Sequence, residues 1–409
     1  MELMMVFNTL SLLGALIFFV HLYNVLVRKP ERHRAMLRKQ GISGPRPTFL
    51  LGNMMEFKKA LSTTERKVVT TSTGPPVSHN CAATIYPFLE KWRKQYGEIF
   101  MFSFGNTQIL SVNQADVVRE IATCTSLDLG KPSYQHKDRG PLFGEGILTS
   151  NAVAWSHQRK ILAPEFYMDK VKGMINLINE SAIPLISSWS TMIEKEGGIA
   201  IIKIDEGLRN FSGDVIARAC FGSNYLRGQE IFFKLRELKE VLSKKAFSIG
   251  IPGMRYVPTK GNRVVWALER EISTLILQVV KQRKEAGYEN DLLQMVLEGA
   301  QNSDISQKEI DRFIVDNCKN IYLAGYEATS VTATWCLILL ALNQEWQSRV
   351  RAEVCEICKG QNPNAEMLLK MQQLTMVIIE TLRLCPPGQV ISREALADMK
   401  FGTFMCPRE

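Results

Sequence analysis

The chain has 409 residues, 46% of them hydrophobic, with a formal charge of +9 and an isoelectric point near 9.0. That length allows a large core, and the spread-out basic charge lacks the one-sided stripe of basic and aromatic residues that nucleic-acid binding requires, so no nucleic-acid partner is expected. Nine scattered cysteines, an odd number, argue against a disulfide framework and for a reducing compartment.

The first element is an apolar run, Leu3 to Val27, uncharged and as long as a bilayer core demands. Glu2 precedes it, and Arg28, Lys29, Arg32, Arg34, Arg38 and Lys39 follow. This polarity reverses that of a cleaved signal peptide and predicts an uncleaved signal anchor over residues 1–27, with the rest of the chain cytosolic. Residues 28–60 read as a basic and Pro-rich hinge, in which Pro45 and Pro47 force an extended backbone. Residues 61–82 are polar and short of core residues, and read as a mobile insertion.

Gly97 to Val112 alternates as a β-hairpin turning at Gly105-Asn106. Helical periodicity follows over Met168–Glu194, Asp205–Cys220, Ile231–Ala246, Val264–Ala286, Asn290–Gly299, Gln307–Leu342, Gln344–Cys358 and Ala365–Leu384. The last of these stops at Pro386-Pro387, and short strands and turns are expected beyond it. The body is therefore mainly α with small β-sheets. Cys355 and Cys358 form a lone CxxC on a charged helical segment with no second pair, so no zinc site is expected.

Three separated patterns remain. "AWSHQRKILAPEF" carries Trp155 and Arg159. "AGYEAT" carries Gly325, Glu327 and Thr329. "ETLRLCPP" carries Glu380 and Arg383 and is followed by "ISRE" with Arg393. In this order, behind an anchor and a Pro-rich segment, they resemble the membrane-bound cytochrome P-450 monooxygenases, and most closely the plant enzymes grouped with gibberellin and terpenoid oxidases.

The resemblance implies a cytochrome P-450 fold over residues 83–409, haem b as cofactor and an NADPH-cytochrome reductase as electron donor. It also implies a hydrophobic small-molecule substrate, terpenoid or hormone-like, and a single-pass endoplasmic reticulum protein. Trp155, Arg159 and Arg393 match positions that bond the haem propionates, which suits an indole N–H and planar guanidinium forks. Glu380 and Arg383 match a structural ion pair beneath the haem, three residues apart on one helix face. Gly325, Glu327 and Thr329 match the oxygen-activating turn of the helix over the haem, where the acid relays protons. A substrate lining is expected around Pro141–Thr149, Phe211–Ser212 and Ile321–Ala324.

Two departures stand out. The family places a threonine directly after the acid, whereas Ala328 stands there and Thr329 points about 100° further round the helix. The family's iron-binding cysteine loop, F-x-x-G-x-R-x-C-x-G, is absent from the 409 residues, and neither Cys385 nor Cys406 has its flanking pattern. The expectation is a C-terminally truncated, incomplete catalytic domain with no metal ligand, catalytically inactive as it stands.

Overall fold

The computed structural model describes residues 2–59, 83, 85–222, 225–244, 253–289, 291–301 and 306–408. The insertion expected at 61–82 lies outside the described residues. Two compact units emerge. One comprises Met1–Tyr134, Lys244–Val257 and Arg393–Glu409; the other comprises Gln135–Ser243 and Pro258–Ser392.

In the first unit, α1 (Glu2–Tyr23) runs through a π-helical turn, Asn24–Arg28, into α2 (Lys29–Lys39). The exposed side chains of α1 are mostly apolar, including Phe7, Leu12, Phe18 and Phe19, the surface a lipid environment would accept. The basic segment is helical because Pro30 sits in its first turn, where a missing N–H does no harm, and Glu31 pairs with Arg34 and Arg38 a turn or two on. The Pro-rich stretch beyond it is extended, as Pro45 and Pro47 require. It hydrogen-bonds to the hairpin, with Met101 N donating to Ser43 O and Asn53 N to Ser103 O.

α3 (Pro87–Tyr96) covers a hairpin of β1 (Ile99–Phe104) and β2 (Thr107–Val112), turning where the sequence predicts. Its core is aromatic: Phe88, Trp92, Phe100 and Phe102 meet largely edge to face. α4 (Ala115–Thr123) follows. Two further short antiparallel pairs close the unit, β3 (Leu129–Gly130) with β4 (Glu394–Ala395), and β5 (Met399–Phe401) with β6 (Phe404–Cys406).

The second unit is helical. It contains α5 (Ser133–Phe143, kinked at Arg139), α6 (Ala152–Leu162), α7 (Met168–Gly173), α8 (Ile175–Lys195), α9 (Ile204–Phe221) and α10 (Tyr225–Lys244). After these come α11 (Lys260–Ala286), α12 (Leu292–Gln301), α13 (Gln307–Leu342), α14 (Gln344–Cys358), α15 (Ala365–Lys370) and α16 (Gln372–Leu384). α13 is the axis of this unit and packs mainly on α9, with α11, α12 and α16 also against it. Its start is fixed by a reciprocal cap: the Ser306 side chain accepts from the Glu309 backbone, and Glu309 reaches back to the Ser306 N–H.

The mainly helical fold with small sheets is the one expected. Two long helices read from sequence are each broken. Met168–Glu194 divides at Met174, just after Gly173, whose backbone freedom weakens the helix. Ala365–Leu384 divides at Met371, where the Glu353 carboxylate accepts from the N–H groups of Gln373 and Leu374 and so caps α16. The short helices α2, α3, α4 and α6 have too few periodic positions to stand out in the sequence.

Among the described residues, Phe7–Lys39 and Gln307–Leu342 are long and apolar enough to cross a membrane. The second is a core helix instead: Asp316, Asn317, Lys319 and Asn320 are all at most 5% exposed and satisfied by protein groups.

Candidate functional site

α6 presents two donors one turn apart. Trp155 is half-buried and Arg159 is exposed, its Cζ 6.0 Å from the indole ring centroid. No carboxylate among the described residues pairs with Arg159. Buried Gln158 and Leu162 anchor α6, and His157 meets the Phe313 ring of α13 at 6.3 Å. The helix is thus anchored in the second unit while its guanidinium is exposed. That donor set is suited to a carboxylate brought by another molecule.

On α13 the motif AGYEAT divides by face. Ala324 and Ala328 are exposed and lie four residues apart, so they share one stripe of the helix. Gly325 points elsewhere. A Cβ on it would lie 2.5 Å from Ile216 Cδ1 of α9, so its lack of a side chain allows the two helices to approach closely. Tyr322 and Tyr326 are buried in the same seam against Phe232.

Glu327 lies beside two cations. Its Oε1 accepts from Arg209 Nη1 of α9 at 3.3 Å, and its Oε2 accepts from Lys239 Nζ of α10. Burial alone would raise its carboxyl, but the Lys239 hydrogen bond and the charges of Lys239 and Arg209 outweigh it and hold the group below the ordinary carboxylate range. Burial and the Glu327 charge push the adjacent Tyr326 phenol up, so it stays protonated. Glu327 is therefore an ionised, occupied carboxylate. Thr329 is exposed and donates back to Gly325 O at 3.1 Å, while buried Ser330 donates to Glu327 O.

Glu380 and Arg383 form a two-pronged pair on α16, both contacts 2.7 Å, with side chains 54% and 65% exposed. The Glu380 hydrogen bond raises the Arg383 guanidinium. Arg393 is exposed and belongs to the first unit, immediately before β4. The structure thus brings Trp155 and Arg159 together on α6, and Gly325, Glu327 and Thr329 together on α13, with the two helices in contact through His157 and Phe313. Arg393 belongs to the other unit.

Cys385 is buried at the end of α16, its amide bonded to Thr381 O, and Cys406 ends β6. Among the described residues no cluster of three His, Cys, Asp or Glu side chains could hold a metal.

Sequence reasoning missed Arg209 and Lys239, which sit in amphipathic helices where a basic residue draws no notice. It also missed the polar run Asp316-Asn317-Cys318-Lys319-Asn320, although polar residues inside an apolar helix are a legible signal.

The family model for cytochrome P450 matches residues 77–409. Cytochrome P450 714C2 of Oryza sativa subsp. japonica is 46% identical over 400 residues, covering 96% of this chain and 76% of its own length. Cytochrome P450 714B2 of the same organism is 47% identical over 407 residues, covering 97% of this chain and 76% of its own. Cytochrome P450 714A2 of Arabidopsis thaliana is 38% identical over 400 residues, covering 95% and 75%.

Proposed function

The chain belongs to the cytochrome P450 family, and on that premise we propose that its fold serves haem-dependent monooxygenation of a hydrophobic small molecule, terpenoid or hormone-like. The observation that carries this reading is the α6 donor pair: Arg159, exposed and without a carboxylate partner among the described residues, beside Trp155. Its donors suit a propionate at a haem edge. The alanine stripe of α13, Ala324 and Ala328, suits a flat ring because neither side chain extends beyond Cβ. Bound haem would supply oxygen activation, with electrons from an NADPH-cytochrome reductase.

The chain's own residues would do the rest. Arg159 and Trp155 orient the group by its edge. Glu327 stores a proton-accepting carboxylate beside the stripe; it becomes available only when Lys239 or Arg209 releases it. Thr329 donates to Gly325 O and so shares that carbonyl with the helix ladder, which eases local bending at that turn. The exposed apolar surface of α1 followed by six basic residues supports a single-pass anchor in the endoplasmic reticulum with the body in the cytosol.

A second reading is that the 409 residues by themselves form a membrane-anchored chain without catalysis. It is favoured by the exposure of Glu380 and Arg383, a pair the family uses beneath the haem. A reduced CO-difference spectrum of the full purified chain separates the two. A thiolate-type Soret band supports monooxygenation; a chain that takes up no haem, or haem without that band, supports the second reading.

A further inference from the structure

The last turn of α5 and the loop that leads to α6, taken together as loop 141–150, fold against the second unit's core, and their polar backbone has to be satisfied there. One face of α13 does this. Asp316 Oδ2 accepts from Glu145 N at 2.8 Å, Asn317 Oδ1 from Ile147 N at 3.1 Å, and Asn320 Oδ1 from Leu148 N at 2.7 Å. In return, Asn320 Nδ2 donates to Phe143 O at 2.6 Å and Lys319 Nζ to Pro141 O at 3.3 Å. Five loop groups are thus met by four buried side chains within five residues of one helix.

The loop is shaped to receive them. Gly144 has φ +57°, and a Cβ on it would lie 2.0 Å from the Asp316 carboxylate; a Cβ on Gly146 would lie 2.7 Å from Asn320. On the loop's other side, Gln158 of α6 donates to Glu145 O at 3.0 Å and accepts from Ser150 Oγ. Gln158 is the residue before Arg159. Asp316 and Lys319 pair at 2.8 Å with both side chains nearly fully buried. Such a pair adds little stability over apolar residues of the same size, so its retention points to a geometric task.

We propose that Asp316, Asn317, Lys319 and Asn320 are positioning residues that lock the backbone of loop 141–150 and, through Gln158, set α6 with its Trp155–Arg159 donors against α13 with its alanine stripe. The lock borrows its purpose from the haem reading, but it is tested without haem.

The test is hydrogen–deuterium exchange on the full chain in detergent, followed at the amides of Glu145, Ile147 and Leu148. In the wild type these are protected. Asn320→Ala raises exchange at Leu148 and its neighbours about tenfold or more while α11 amides keep their rates. Gly144→Ala, made on the other partner, gives the same local signature. The double variant Asp316→Asn with Lys319→Met keeps an acceptor for Glu145 and removes both charges; it retains protection at Glu145 and remains testable if a single variant fails to fold. Unchanged loop amides in folded Asn320→Ala overturn the proposal. So does equal loss of protection in the loop and α11, which would make these ordinary core residues. Loss of Glu145 protection in the double variant also overturns it.

Discussion

The two halves of α13 use polar residues in opposite ways. In the N-terminal half, Asp316, Asn317, Lys319 and Asn320 are buried and each is satisfied, so the polar atoms hold neighbouring backbone in place. In the C-terminal half, Ala324, Ala328 and Thr329 are exposed, and the one carboxylate, Glu327, is pinned to the side by Lys239 and Arg209. The first half carries stability and position. The second keeps an open face whose chemistry is not needed for folding.

Substitutions in the two halves should therefore differ in kind. The largest effect is expected from Tyr322→Ala, which empties a fully buried aromatic site and removes a bond to Gly213 O. It should destabilise by about 3–5 kcal/mol in urea unfolding. Lys319→Ala leaves buried Asp316 with only the more distant Arg312 as a cation and should lose about 3 kcal/mol in the same measurement. Either variant unfolding with wild-type midpoint would erase the contrast between the halves.

Gly325→Ala should lose about 1–3 kcal/mol, because its Cβ runs into Ile216. Ile216→Val beside it should recover part of that loss, which a double-mutant cycle would read. Glu327→Gln should cost about 1 kcal/mol at neutral pH, a small figure because a third of the side chain is exposed and solvent screens the pair. The Glu327 carboxyl titrates lower in the folded state than in the unfolded chain. Its contribution is full above the unfolded carboxylate value of about 4.3 and is lost as pH falls through the lower folded value. The stability difference between wild type and Glu327→Gln should therefore shrink in that acid window.

Ala328→Thr, which restores the family's residue, should cost no more than about 1 kcal/mol, mostly the helix propensity of a β-branched residue, since the position is exposed. A large loss there would mean that the stripe is part of the core.

The apolar N-terminal helix, the hairpin and most of the long helices were legible because each follows a single period or a single length rule. The family motifs were legible as strings, but their facing was not. Read as a string, AGYEAT puts glycine, acid and hydroxyl at one place. The helical period and the packing of α9 and α10 separate them, sending Gly325 to Ile216, Glu327 to Lys239 and Arg209, and leaving Ala328 on the open side. Arg209 and Lys239 lie more than 80 residues upstream of Glu327, so nothing local could pair them with it. The loop lock was hidden for the same reason. Asp316 meets Glu145 across 171 residues of sequence, although the glycines at 144 and 146 mark where the close approach occurs.

The most direct measurement is haem binding to the full chain and to Arg159→Ala, followed by Soret absorbance as hemin is added. Saturable uptake by the wild type, with affinity about tenfold weaker in Arg159→Ala, is the expected result, the loss of one charge-assisted contact. Equal affinity in the two proteins, with both folded, would contradict the assignment of the α6 donors to the haem edge.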